Sequence, residues 1–347
     1  MGMKVAVVGA TGAVGREILK TLAERSFPVD EAVALSGGRG GGQEVSFGED
    51  EVLKVRSLES YDFSDTDIAF FAAGAAVSQV HAARAAGQGC VVIDSSSAFR
   101  MEADVPLVIP EVNANAITRF RKRRIIGNPT GATIQMLVAL KPLHDIGKAR
   151  RVVVSTYQSV SDGGQSASNG GREGMDELWT QTRGVYVNET PPGEQFPKQI
   201  AFNCIPHIGD FMDDGATREE WALAAEARKI LDPDIAVMAT CVRVPVFIGH
   251  AEAVHVAFER PVTEAQARAA LRDAPGVIIL DRREDGGYAT AAEIAGEDTV
   301  YVSRLRRDLT VPHGLAFWCV TDNLRKGSAL NAVQIAEELV ARKLLED

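Results

Sequence analysis

The chain is poor in cysteine. Its 347 residues hold four: Cys90, Cys204, Cys241 and Cys319, with no CxxC and no pair at metal-ligand spacing. A disulfide framework and a cysteine-built metal centre are not expected, and the pattern is that of a reducing compartment. Long apolar runs are missing too. No stretch approaches the roughly 20 residues that cross a bilayer. No basic-then-apolar leader comes before the strand-like segment that begins at Lys4. Positive charge is in deficit, with 37 Lys and Arg against 47 Asp and Glu, which argues against a nucleic-acid partner. Aromatics are modest at 6%. There is no repeat, no low-complexity tract and no linker rich in proline or serine. The expectation is a cytoplasmic enzyme that needs no metal and has no nucleic-acid or membrane partner.

What the chain has is length and glycine. It is long enough for about two domains and buries roughly three quarters of its unfolded surface, so the core needs no staples. Its 32 glycines suggest an α/β protein with close backbone-to-ligand approaches. Lys4-Val5-Ala6-Val7-Val8 is a short apolar, β-branched run. Gly9-Ala10-Thr11-Gly12-Ala13-Val14-Gly15 follows, and residues 16–25 read as an amphipathic helix. Strand, glycine turn and helix in that order are the setting of a phosphate-binding loop. Gly9 allows the tight turn, Gly12 lets the backbone approach a pyrophosphate, and Gly15 lets helix pack on strand. A glycine loop without a ligand is the blander reading.

A second strand at residues 31–35 ends in Ser36-Gly37-Gly38-Arg39-Gly40-Gly41-Gly42. In a dinucleotide fold the adenosine ribose lies at this tip. An acid there holds the 2′-hydroxyl, whereas an arginine suits a 2′-phosphate. The sequence offers Arg39 and no acid at the strand tip, which favours NADP, with NAD as the alternative. Strands at 68–71, 91–94 and 125–127 alternate with helical stretches such as 77–86, giving a parallel, doubly wound sheet to about residue 128. Residues 151–160 and 235–257 are β-rich, with helical stretches at 169–184 and 218–231 between them. They read as a second, α+β domain. Residues 331–345 form an amphipathic helix that returns to the first domain. The division is therefore 1–130 with the C-terminal helix 331–347, and 131–330.

Seven segments then fall in order along the chain: GATGAVGRE, IDSSSAFRM, ATIQMLVALKPLHD, STYQSVS, FNCIPHIGDF, ATCVRVPVFIGH and DNLRKGSALNAVQIAE. On these, nearly the whole chain resembles the bacterial aspartate-β-semialdehyde dehydrogenase family. The resemblance implies a Rossmann-like NAD(P)-binding domain, an α+β catalytic and dimerisation domain, and a homodimer. It also implies a reaction in which aspartyl phosphate and NADPH give aspartate semialdehyde, NADP and phosphate. By resemblance, Gly9, Thr11, Gly12, Ala13, Val14, Ser36, Arg39, Ala73, Gly74 and Gly163 are the cofactor residues. Glu219 is the acid for the substrate ammonium and Arg243 the arginine for its carboxylate. His250 is the acid/base and Gln158 orients the acyl group. Arg100 and Asn128 complete the substrate set.

The family reaction runs through a cysteine thioester. Here the matching turn reads Asn128-Pro129-Thr130-Gly131-Ala132-Thr133, so Gly131 holds the nucleophile's place. Thr130 and Ala132 depart from the family as well. Ala222 stands where a phosphate-holding lysine is usual, and Asp162 replaces a glycine near the nicotinamide. The serines around the Arg39 loop are glycines. Hydride transfer to an aldehyde, ketone or imine needs a proton donor and a positioned carbon but no thiol. The leading expectation is an NADP-dependent oxidoreductase acting directly on an aspartate-like amino acid or its semialdehyde. Three others stay open: a dinucleotide-binding pseudoenzyme or partner subunit, an inactivated dehydrogenase, and an enzyme that uses Thr130 as nucleophile, activated by His250.

Overall fold

A computed structural model describes residues 2–38, 42–49, 51–162, 171–187, 189 and 192–345. The chain forms two compact units. The first comprises Met1–Pro129 and Ser328–Asp347, and the second starts at Thr130 and takes in Glu173–Gly327.

The first unit runs β1 (Met3–Val8), α1 (Ala13–Glu24), β2 (Val29–Ser36), a hairpin of β3 (Glu44–Phe47) and β4 (Glu51–Lys54), β5 (Arg56–Ser57), β6 (Ile68–Phe71), α2 (Ala75–Gly87), β7 (Val91–Asp94), α3 (Pro110–Asn113) and β8 (Ile125–Gly127). Six of these strands make one sheet in the order β5-β2-β1-β6-β7-β8, every pair parallel. Crossovers cover both faces of such a sheet, so inner strands read as unbroken apolar runs rather than alternating ones. All four residues of β6 and of β7 are buried. Side chains of β1 alternate between two cores, Val5 and Val7 with Ile18 and Leu22 on one face, Ala6 and Val8 with Phe63 and Phe71 on the other. The small β3–β5 strands were not distinguished in the sequence.

The second unit runs α4 (Gly131–Gly147), β9 (Ala149–Gln158), α5 (Arg172–Tyr186), α6 (Arg218–Ile230), β10 (Ala236–Arg243), β11 (His250–Phe258), α7 (Glu264–Arg272), β12 (Val277–Ile279), β13 (Val300–Asp308) and β14 (Gly314–Thr321). Its sheet is mixed, in the order β10-β9-β11-β14-β13-β12. β10 lies parallel to β9 and β11 antiparallel to it. The β-rich run expected over 235–257 is thus two strands, broken where Pro245 and Gly249 cannot continue a ladder. The last helix, α8 (Leu330–Ala341), belongs to the first unit. It ends four residues before the stretch expected from the sequence. Seven of its twelve residues are buried, so it is less one-sided than the pattern suggested. It packs with Val5, Ile18 and Ile126 in one core.

Glu252, in the middle of β11, is fully buried. Cys319 donates its thiol to Oε2 at 3.4 Å, while Oε1 meets no hydrogen-bond partner among the described residues. Burial holds this carboxyl well above the usual carboxylate range. An unfolded glutamate ionises above about pH 4.3, so at higher pH the folded state keeps a proton that the unfolded state has lost. Stability therefore falls as pH rises through that window. The expected outcome is that Glu252→Gln raises the urea midpoint relative to the parent more at pH 8 than at pH 5.5. Urea titrations at both pH values check it.

Candidate active site

In the first unit the chain leaves β1 at Gly9 with φ +84°. An added Cβ there would lie 2.5 Å from the Ala72 carbonyl oxygen, and one on Gly15 would run into the Gly9 carbonyl. Glycine is needed at both places. Gly12 donates its N–H back to the Gly9 carbonyl at 3.0 Å. It stands at the start of α1, where no side chain caps the helix and the first turn carries no acid. The amides of Ala13 and Val14 therefore begin a helix whose N–H groups and dipole suit an anion. Thr11 accepts from Arg16 through its carbonyl at 3.1 Å. Ala73 and Gly74 turn β6 into α2, with Gly74 at φ +84°. The chain goes from β1 to β2 on one side and later to β6 on the other, so these turns flank the point where strand order reverses, the ligand end of such sheets. The cradle fits a dinucleotide pyrophosphate.

Ser36 closes β2. Arg39 and Gly163 lie outside the described residues. The sequence reading found no acid at this tip, and the structure corrects it. β5 pairs beside β2, so Glu59, just past β5, reaches back. Its Oε1 accepts from the Gly38 N–H at 3.3 Å and its Oε2 from the Ser57 hydroxyl at 2.6 Å. These bonds hold its carboxyl below the usual range. Also in this unit, Arg100 donates Nε to the Asn128 carbonyl at 3.0 Å and Nη2 to that of Ser95 at 2.7 Å. Asn128 gives its amide protons to Ser95 Oγ and the Ser328 carbonyl. Its Oδ1 accepts from Asn331 at 2.7 Å, so its side-chain donors are all engaged within the unit.

In the second unit, sheet topology gathers residues far apart in sequence. Gln158 and Arg243 pair in register at the carboxyl ends of parallel β9 and β10. His250 opens antiparallel β11 at the same edge. Gln158 Nε2 donates to Glu219, in the first turn of α6, at 3.2 Å and to Thr156 Oγ1 at 3.3 Å. Thr217 and Glu220 form a capping box that starts α6, which fixes Glu219 one turn ahead of Ala222. His250 is buried. Its Nδ1 accepts the backbone N–H of Ser159 at 3.2 Å. A nitrogen that accepts carries no proton, so the neutral ring bears its hydrogen on Nε2. That atom lies 3.3 Å from Asp162 Oδ2. Arg243, also buried, donates Nη1 to the Ser159 carbonyl at 2.6 Å and lies 3.9 Å from Asp162 Oδ2.

Gly131 opens α4. A Cβ on it would sit 3.0 Å from the Gly327 carbonyl oxygen. Thr130 is bonded to Glu226: its N–H and hydroxyl both donate to that carboxylate, at 2.9 and 3.0 Å. Activation of Thr130 by His250 is thus corrected, because the histidine's ring nitrogens face Ser159 and Asp162. No remaining buried cysteine is poised as a thiolate. Burial pushes the thiols of Cys90, Cys241 and Cys319 up, and Cys204 is exposed.

Two family models match. "Semialdehyde dehydrogenase, NAD binding domain" covers residues 4–120, and "Semialdehyde dehydrogenase, dimerisation domain" covers residues 140–326. The chain belongs to the semialdehyde dehydrogenase family. It is 47% identical to the aspartate-semialdehyde dehydrogenase of Rickettsia conorii over 97% of each chain. To that of Aquifex aeolicus it is 47% identical over 99% of this chain and all of the relative. The crystal structure of aspartate semialdehyde dehydrogenase II from Vibrio cholerae superposes with a TM-score of 0.93 at 46% identity, covering 98% of this chain and 99% of that one. The same enzyme has been solved complexed with ASA. Membership places the chain among the NAD(P)-dependent oxidoreductases, with a Rossmann-like first domain and a mixed-sheet second one.

Among the described residues no helix is long and apolar enough to cross a membrane. None of them form a His, Cys, Asp and Glu cluster that could hold a metal ion. Sequence reasoning missed Glu59 and gave Asp162 no partner, since both depend on contacts made across the fold. Glu59 places negative charge beside the tip of β2. Glu59→Gln is expected to tighten NADPH binding several-fold while changing NADH binding less, an effect that shrinks with salt because the group is exposed. Fluorescence titration with each dinucleotide at two ionic strengths checks this.

Proposed function

We propose that the protein is an NADP-dependent oxidoreductase, with NAD as the alternative dinucleotide, that acts directly on an aspartate-like amino acid or its semialdehyde. No thioester and no phosphate take part. The observation that carries this reading is the pairing of a complete polar set at one sheet edge, Gln158, Glu219, Arg243 and His250, with glycine at position 131. Similarity to aspartate-semialdehyde dehydrogenases supports the substrate class.

The roles follow from the chemistry of each side chain. Glu219 accepts the ligand's ammonium. Arg243 offers a planar fork to a carboxylate, which lysine cannot match. His250, neutral with its hydrogen on Nε2, donates a hydrogen bond from Nε2 to the carbonyl oxygen as negative charge builds there on hydride arrival. Solvent supplies the proton that completes the alcohol, and takes it back in the reverse direction. Gln158 orients the carbonyl; in the first unit Arg100 offers a cation to an anionic group, while Asn128, whose amide protons are spent on Ser95 and Ser328, braces its turn. Gly9, Thr11, Gly12, Ala13, Val14, Ser36, Ala73 and Gly74 hold the dinucleotide, which supplies or accepts the hydride when bound. We place the enzyme in the cytoplasm as a homodimer built through the second domain.

The test is NADPH oxidation by the purified protein with aspartate semialdehyde in phosphate-free buffer, followed by mass spectrometry of product and protein. An amino alcohol from unmodified protein is expected, and His250→Asn should lower kcat by about 10²–10⁴. A covalent acyl adduct, or a rate that depends on phosphate, overturns the reading. Dinucleotide binding without turnover of any amino carbonyl compound assigns the chain a binding role instead. A second prediction concerns the lost nucleophile. Gly131→Cys should leave phosphate-dependent oxidation of aspartate semialdehyde far below that of the relatives. The new Cβ crowds the Gly327 carbonyl, and Ala222 offers no charge to a phosphate. Steady-state assays with and without phosphate check it.

A further inference from the structure

The short turn Val160–Asp162 is firmly tied down. Val160 and Ser161 donate their N–H groups to the carbonyls of Val246 and Phe247 at 2.9 and 3.1 Å. Ser161 also exchanges hydrogen bonds with Asn323. The turn ends by setting the Asp162 carboxylate 3.3 Å from His250 Nε2 and 3.9 Å from Arg243 Nη1. A carboxylate of the chain itself therefore stands before the guanidinium that a ligand carboxylate would use. Glu219 approaches the same sheet edge through Gln158. Asp162 thus attends the Arg243 cation, and Glu219 lies against Gln158 at the same edge.

A second observation points the same way. Gln158 is fully buried, and its Oε1 has no hydrogen-bond partner among the described residues. Its Nε2 is fixed in the donor role by Glu219, so the oxygen cannot be relieved by turning the amide over. A buried acceptor without a donor is costly. An ammonium brings three donors and no acceptor, and suits the acceptors Glu219 and Gln158 Oε1 together.

We propose that the site selects a short amino aldehyde, or its amino alcohol, that carries no carboxylate beside the amine, with Asp162 standing where that carboxylate would be read. The inference rests on the oxidoreductase reading above: it keeps the amino carbonyl and the hydride chemistry, and replaces the ligand carboxylate at Arg243 with Asp162. A ligand carboxylate must displace Asp162 from Arg243 or lie beside it as a like charge. Asp162 is 52% exposed on its side chain, so water screens the repulsion. The expected discrimination is about tenfold rather than thousandfold.

Homoserine and 3-aminopropan-1-ol differ only in the carboxylate and serve as probes. Their binding to the full chain with NADP is measured by calorimetry, and their oxidation by NADPH appearance. In oxidation the alcohol carbon loses a hydride to NADP and the hydroxyl loses its proton, giving an aldehyde. The parent should bind 3-aminopropan-1-ol about tenfold tighter than homoserine, and Asp162→Asn should close or reverse that gap. Homoserine binding equal or tighter in the parent, a ratio unmoved by Asp162→Asn, or no binding of either probe overturns the proposal. Tight binding of 3-aminopropan-1-ol with no oxidation upholds the ligand class and sinks the oxidoreductase reading. Oxidation with homoserine preferred does the reverse.

Discussion

At Gly249 the backbone adopts φ +98°, and an added Cβ would lie 2.8 Å from the Ala291 carbonyl oxygen. Only glycine makes this turn without strain. The turn reverses the chain from β10, parallel to β9, into β11, antiparallel to it. Arg243 before it and His250 after it consequently land at one edge of the sheet, beside Gln158. Asn323 Oδ1 accepts the Gly249 N–H at 2.8 Å and the Ser159 hydroxyl at 3.0 Å. One side chain thereby ties the turn to the segment that contacts the histidine ring. Register along β9, the tautomer of His250 and the setting of Arg243 all depend on this arrangement.

Three residues of this unit carry the proposed departure from the family's chemistry. Gly131 offers no nucleophile, Ala222 no cation, and Asp162 is an anion. On the proposed reading, a pocket altered only by loss of its nucleophile would keep its preference for anionic ligands, whereas Asp162, held by a well-bonded turn, shifts it. Gln158 is meanwhile bonded to Glu219, while His250 and Arg243 both bond Ser159, which gives these buried groups the partners without which they would destabilise the fold.

The first unit shows the same division between local and distant control. The Gly9 turn, the uncapped start of α1 and the Gly15 contact are local consequences of a few small residues. They create a backbone cradle for an anion whatever the rest of the chain does. The charge at the tip of β2 is set otherwise. It depends on β5 pairing with β2, which carries Glu59 to a tip whose own sequence contains no acid.

The sequence by itself determined the parallel sheet of the first unit, because its inner strands are unbroken apolar runs, and the loop after β1, because two of its glycines, Gly9 and Gly15, stand where side chains would collide. Family motifs in order pointed to Gln158, Glu219, Arg243 and His250, and made Gly131 visible as a departure. Boundaries near residues 235–257 and in the last helix were less legible, since a proline–glycine turn and burial on several faces blur a periodic pattern. Only the tertiary structure decided which partners these side chains have. Asp162 meets a histidine 88 residues away, Glu219 an amide 61 residues away, and Thr130 a carboxylate 96 residues away. Such contacts follow from strand register and sheet order, which bring distant residues together, and no spacing within a single segment encodes them.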